Sequence, residues 1–182
     1  MTLTEVLPSL RRSLPDPLSI DSWPELTSVT TTDVVVCGIS MVRLVELCGT
    51  PCVHTGAAVV PGTHGRPSPD ADAAIVIVAV TAFCGPDQAD GVFVDGCLDR
   101  VPAIWSETRL INRASTAHHR SIPVRFGGDD RQARANLPAD LRPGDLLAVP
   151  CRGMVVLRDL RALVAPRPDS LGAGPNWLTE LN

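Results

Sequence analysis

Short apolar runs, each cut off within a few residues by Gly, Pro or Asp, limit what this chain can fold into more than any other feature. The longest, residues 73–82, is strand-sized. It is dominated by Ile, Val and Ala, and with Phe83 it reads as a buried strand. Further short strands are expected at 91–95, 104–113, 122–126, 145–150 and 154–157. Turn residues separate them, among them Gly85-Pro86, Gly127-Gly128-Asp129 and Pro143-Gly144. Many short strands at near-regular spacing point to a closed barrel or a sandwich.

The part ahead of residue 73 reads differently. Residues 1–31 are rich in Pro, Ser and Thr and are expected to form an irregular arm, with one short helix around 3–13. The β-branched run at 33–37 is a strand by composition. Ser40 is placed to cap a helix through Cys48, with Met41, Leu44, Val45 and Cys48 on one face. Gly49 stands where a C-terminal glycine ends such a helix. A second strand is expected at 50–54, and the Pro- and Gly-rich stretch 56–72 reads as a loop. The division expected is an arm at 1–32, one domain at 33–165 and a tail at 166–182, with Trp177 and Leu178 as the tail's anchors.

Composition excludes several classes. A chain of 182 residues, 45% hydrophobic and 20% charged, suits one globular domain with a real core. The net charge of -4 gives no basic field for nucleic acid. No apolar run approaches the roughly 18 residues of a membrane-spanning helix, so no membrane partner is expected. Residues 1–17 lack the apolar stretch of a secretion signal, and a cytoplasmic setting is expected. The six cysteines are then expected to be reduced and mostly buried, Cys37 and Cys84 among them. Cys48, Cys52 and His54 match zinc-ligand spacing poorly and read as small buried groups, so no metal is expected. All 16 basic residues are Arg; the chain has no Lys and no Tyr.

Three stretches carry a family likeness. The segment 137–150, Leu-Pro-Ala-Asp-Leu-Arg-Pro-Gly-Asp-Leu-Leu-Ala-Val-Pro, resembles a barrel segment of the diaminopimelate decarboxylase family, in the fold type III group of pyridoxal-phosphate enzymes. Val92-Phe-Val-Asp-Gly96 with Ile111-Asn-Arg-Ala-Ser115 is similar to a strand of that family and the one after it. Residues 34–54, above all 44–51, resemble the segment just before the family's TIM barrel. About 200 residues of TIM barrel should follow. Here His54 leads almost at once to Val60-Pro-Gly62, which looks like a remnant of the family's Glu-Pro-Gly-Arg phosphate turn. The resemblance covers roughly 33–160 and implies a single six- or seven-stranded β-barrel, like the alanine racemase and decarboxylase C-terminal domain, carrying one short N-terminal βα element.

The family's chemistry does not survive the comparison of residues. Its cofactor sits as a Schiff base on a Lys, and this chain has none. Val60 and Thr63 replace the Glu and Arg of the phosphate turn. The substrate motif falls near 125–130, with Phe126 and Gly127 at its Cys and Glu positions. Gly153-Met154-Val155 replaces Gly-Ala-Tyr, and Val101 to Trp105 replaces an Arg-x-x-Leu-Tyr element. No cofactor is therefore expected.

Loss of a TIM barrel would uncover one barrel face, which a second copy or the chain's own arm must cover; a homodimer is expected. Trp105, Glu107 and Arg109 alternate along an expected strand and would share a face, as one wall of a site. The alternative for Glu107 and Arg109 is a solvated ion pair. His118-His119 offers a general base, with His118 taken as the candidate, or else a polar turn. Arg125, Phe126 and Met154 are candidate substrate contacts, and Asp95, Asp129 and Asp130 read as turn formers. Two functions are carried. One is a cofactor-independent cyclase, isomerase or dehydratase of specialised metabolism acting on a hydrophobic intermediate, with Glu107, Arg109 and His118 catalytic. The other is a non-catalytic partner of a full-length decarboxylase or another biosynthetic enzyme.

Overall fold

The structure, a computed structural model, describes residues 2–84, 91–127 and 131–161. The tail expected at 166–182, with Trp177 and Leu178, lies outside the described residues, as do Asp129 and Asp130. The arm begins with the short helix α1 (Leu3–Val6) and 3-10 turns at Pro8–Arg12 and Ile20–Ser22. Strands β1 (Thr27–Val29), β2 (Val34–Val36) and β3 (Ile39–Ser40) then form a small antiparallel sheet. Helix α2 (Met41–Cys48) begins at Ser40, whose hydroxyl accepts a 3.0 Å hydrogen bond from the Arg43 amide. It stops at Gly49, which takes a φ of +73°.

Seven strands make the main sheet: β4 (Cys52–Val59), β5 (Pro67–Phe83), β6 (Val92–Val94), β7 (Arg109–Ile111), β8 (His119–Arg125), β9 (Gln132–Pro138) and β10 (Leu146–Arg152). The order is β7-β10-β5-β6-β8-β9, with β4 also paired to β5. Pairing is antiparallel except between β6 and β8. The sheet curls into a nearly closed barrel, so the chain is mainly β with a barrel at its centre. Among the described residues no helix is long and apolar enough to cross a membrane.

Strand β5 explains its own unbroken apolar run. Ala74, Val76, Val78 and Val80 point into the barrel, where they meet Val92, Val124, Leu137 and Val149. The alternate residues, Ile75 and Ile77, point outward into a second core. There Trp23 of the arm, Val34, Val36 and Met41 cover them, together with Ile111 and Ala148. A strand buried on both faces has no reason to alternate with polar residues. The N-terminal βα layer thus packs on the outer wall of the barrel.

Four sequence expectations need correction. Residues 56–72 are not a loop: β4 and β5 continue through them as a hairpin, and the turn at Val60 closes with its amide bonded to the Arg66 carbonyl. Residues 104–113 are not one strand. A 3-10 turn at Trp105–Glu107 precedes the short β7. Residues 154–157 are not a strand, since the chain runs into a 3-10 turn at Leu157–Leu160. Strand β9 was not expected at all. Of the cysteines, Cys52, Cys84 and Cys151 are buried, but Cys37 and Cys48 are exposed. Cys37 occupies a turn with φ +49°, which turns its side chain outward from the apolar run before it.

Candidate functional site

The barrel's two end strands, β7 and β9, do not pair. The 3-10 turn at Trp105–Glu107 lies in the seam between them and packs on β9. It splits the seam into two hollows. Trp105 faces one and Glu107 the other, so the two do not share a wall. A 3-10 turn advances by thirds of a circle, which removes the alternation that would have aligned them.

The Trp105 hollow is open. Trp105 stacks on Phe126 with ring centroids 5.1 Å apart and planes within 7°. Leu98, Val101 and Ala133 continue the shelf, and Arg131 pairs with Asp99 at its rim. Trp105 and Phe126, both expected to contact substrate, do come together here. Arg125 does not join them: its guanidinium lies 6.0 Å from the Phe93 ring centroid, outside both hollows. Met154 is 66% exposed and borders neither. Asp95 bonds both ways to Ala79, its carboxylate accepting the amide at 2.9 Å, and so anchors the end of β6.

The other hollow is a cavity of about 210 Å³. Ser106 to Leu110 form one wall and Asn136 to Pro138 the opposite one. The arm roofs it with Arg11, Leu14, Pro15, Asp16 and Pro17. Buried Arg11 fixes that roof. Its Nε donates to both Asp16 oxygens at 3.0 and 2.8 Å, and its Nη1 donates to the Ala117 carbonyl at 2.9 Å. Glu107 is tied to the arm as well, accepting from the Ser19 amide at 3.1 Å and the Trp23 indole at 3.3 Å. Arg109 donates to the Pro17 carbonyl. Glu107 and Arg109 therefore both belong to the cavity, brought there by the arm rather than by strand alternation.

His119 also lines this cavity, at the start of β8. His118, the candidate chosen from sequence, precedes β8, is exposed and lies outside the cavity. His119 Nε2 stands 3.8 Å from Asp16 Oδ2. Burial lowers the imidazole pKa from its ordinary value, and the charges of Arg11 and Arg109 lower it further against the pull of Asp16 and Glu5. Burial would raise the Asp16 carboxyl, but bonds from the Thr4 hydroxyl and Arg11 outweigh that and hold it low. An uncharged imidazole thus sits within ion-pair reach of a charged carboxylate, close enough for the carboxylate to stabilise the imidazolium of a general base.

Two further features were invisible in the sequence. Thr108 borders the cavity and is 5% exposed, yet its Oγ1 has no hydrogen-bond partner among the described residues. Arg109 is partly buried, and among the described residues no carboxylate comes within ion-pair distance of it. Burial depresses its pKa despite the nearby charges of Asp16 and Glu107. On the far wall Arg113 is fully engaged, forked onto Asp145 and bonded to Asp140. Among the described residues no three His, Cys, Asp or Glu side chains converge as metal ligands. Compared with known protein families, curated proteins and solved structures, the chain matches none.

Proposed function

We propose that this chain is a small cofactor-independent enzyme of the isomerase, cyclase or dehydratase type, on a decarboxylase-like barrel that no longer decarboxylates. The observation that carries the proposal is the His119–Asp16 pair inside the arm-roofed cavity. Neutral imidazole is the form that accepts a proton, and Asp16 stabilises the imidazolium that results. The catalytic set becomes His119, Asp16, Arg109 and Glu107, with His119 in the place first given to His118. Leu14, Leu110, Leu137 and Pro138 line the same cavity and suit an apolar substrate with one polar end. At about 210 Å³ the space is below the roughly 300 Å³ where drug-sized pockets begin, so the substrate is small.

The resemblance's own cofactor does not fit. The chain has no Lys, Val60 and Thr63 stand in the β4–β5 hairpin turn, and Gly153 and Met154 are exposed. No step is assigned to it.

The test is to incubate the protein with a small-metabolite extract and follow it by mass spectrometry. A wild-type-dependent product of equal mass, or of one water less, supports the reading if His119→Gln abolishes it while the melting temperature holds. No conversion that distinguishes wild type from His119→Gln overturns it. A second reading, the non-catalytic partner, draws on the arm's outer side, where Leu3, Val6 and Leu7 are exposed. The homodimer proposal draws on the same side. Light scattering of dilute protein separates them, since a dimer covers that side with a second copy and a monomer leaves it open.

A further inference from the structure

We infer that the substrate is a small carbonyl compound, and that Arg109 and Thr108 form the site that receives its oxygen as an enolate develops. The inference rests on the acid–base reading above and names what the base acts upon. Its first support is Thr108. A hydroxyl buried without a partner costs stability, and such groups are kept where a ligand completes them. Its second support is Arg109, the next residue on the same wall, whose guanidinium has the Pro17 carbonyl as partner and N–H groups to spare. The cavity wall thus holds a buried hydroxyl with no partner among the described residues and a guanidinium with N–H groups beyond the one bonded to Pro17.

The charges around them choose between a carbonyl and a permanent anion. Arg11 is neutralised by Asp16, and Arg113 by Asp140 and Asp145. Glu107 and Glu5 add negative charge to the lining. A substrate that carried negative charge anywhere but on the oxygen beside Arg109 would meet those carboxylates at full cost. A neutral carbonyl enters without that cost, and its oxygen gains charge only in the transition state, beside Arg109. Donors aimed at charge that develops during reaction lower the barrier more than they strengthen substrate binding.

The step balances within the cavity. His119 takes a proton from the carbon next to the carbonyl; the C–H bond breaks and an N–H bond forms. The electron pair moves to the carbonyl oxygen, held by the Arg109 N–H and Thr108 O–H groups. The imidazolium then returns its proton to a different carbon, which gives an isomer and restores the neutral base. No oxidant, reductant or metal takes part.

The test uses cyclohexane-1,3-dione, a small ring that is an enolate at neutral pH, with cyclohexanone as its uncharged control. Calorimetry on the full chain should show the enolate binding and the ketone binding at least about tenfold more weakly. Thr108→Val is nearly isosteric and removes a hydroxyl that has no partner among the described residues. It should keep or raise the melting temperature and yet weaken enolate binding roughly tenfold. Arg109→Met should weaken it roughly tenfold to a hundredfold, and Arg109→Lys less. His119→Gln should still bind the enolate, because no proton remains to be taken. Equal binding of enolate and ketone, or full enolate binding in Thr108→Val and Arg109→Met, overturns the inference even if the extract assay finds an enzyme. Enolate binding through Arg109 with no conversion of any metabolite overturns the enzyme reading instead, and the enolisation step with it.

Discussion

Both carboxylate oxygens of buried Asp145 are taken by one guanidinium, Arg113, at 2.7 Å each, and the Arg142 amide adds a third bond at 2.8 Å. That geometry makes the Pro143-Gly144-Asp145 turn a structural clamp between β7 and β10. Asp145→Ala leaves Arg113 with Asp140 alone and frees the Arg142 amide, and should cost about 1–3 kcal/mol in denaturant unfolding. The cavity's acid–base pair predicts a different signature. His119 and Asp16 each have a folded pKa below the ordinary value, so between the two values the unfolded chain holds the extra proton. Stability therefore rises with pH through each window. The His119 contribution is complete above 6.5 and is lost as pH falls from there toward its folded value. The Asp16 contribution, with that of Asp140, is complete above 3.8 and is lost below it. Melting temperature against pH should show both declines in wild type and the lower one alone in His119→Gln. If that variant keeps the upper decline, His119 is not the buried neutral group described here.

The helix and the strands were unequally legible. Ser40 and Gly49 marked both ends of α2 because each has a local job at a helix terminus. Strand β5 was legible because burial on both faces leaves an apolar run. Strand β9 hid because its inward residues include Ala133 and Ala135, which make no strong strand signal. The hairpin through 56–72 hid because Gly56 and Pro67, residue types that usually mark turns, here lie in paired strand beside the true turn at 60–66. The cavity was half legible. Glu107 and Arg109 drew notice through a spacing that the 3-10 turn then cancelled, while Arg11 and Asp16 carry no pattern at all. Arg11 reaches the Ala117 carbonyl across 106 residues of sequence, a contact made by tertiary packing. One glycine tests the pairing directly. Gly91 has φ +109°, and a Cβ there would fall on the Pro123 carbonyl, where β6 meets β8. Gly91→Ala should cost about 2–4 kcal/mol, from backbone strain and overpacking together. Gly144 has φ +90° and open space around it, so Gly144→Ala should cost about 1–2 kcal/mol from strain alone. Equal losses in the two variants would mean that the β6–β8 contact is looser than this register.

Across the whole molecule the arm has two separable tasks. Around Arg11 to Pro17 it roofs the cavity, and at Trp23 it seals the outer core. Trp23 is 0% exposed and packs with residues of the outer core over Ile75 and Ile77, so Trp23→Ala should cost about 3–5 kcal/mol. Cutting the chain after residue 24 removes that seal and uncovers an apolar wall, which should drive aggregation. Cutting after residue 17 leaves Trp23 in place. That shorter chain should stay folded while the cavity opens. It also removes the burial and the Arg11 charge that depress the His119 pKa, along with the weaker opposing pull of Asp16. The imidazole should then titrate closer to 6.5 than in the intact protein, as followed by NMR of its ring protons. A titration identical in the two chains would mean that the arm does not close over His119. A chain cut after residue 24 that stayed soluble and melted like wild type would mean that the outer core does not need Trp23, and the sealing task assigned to the arm would fall.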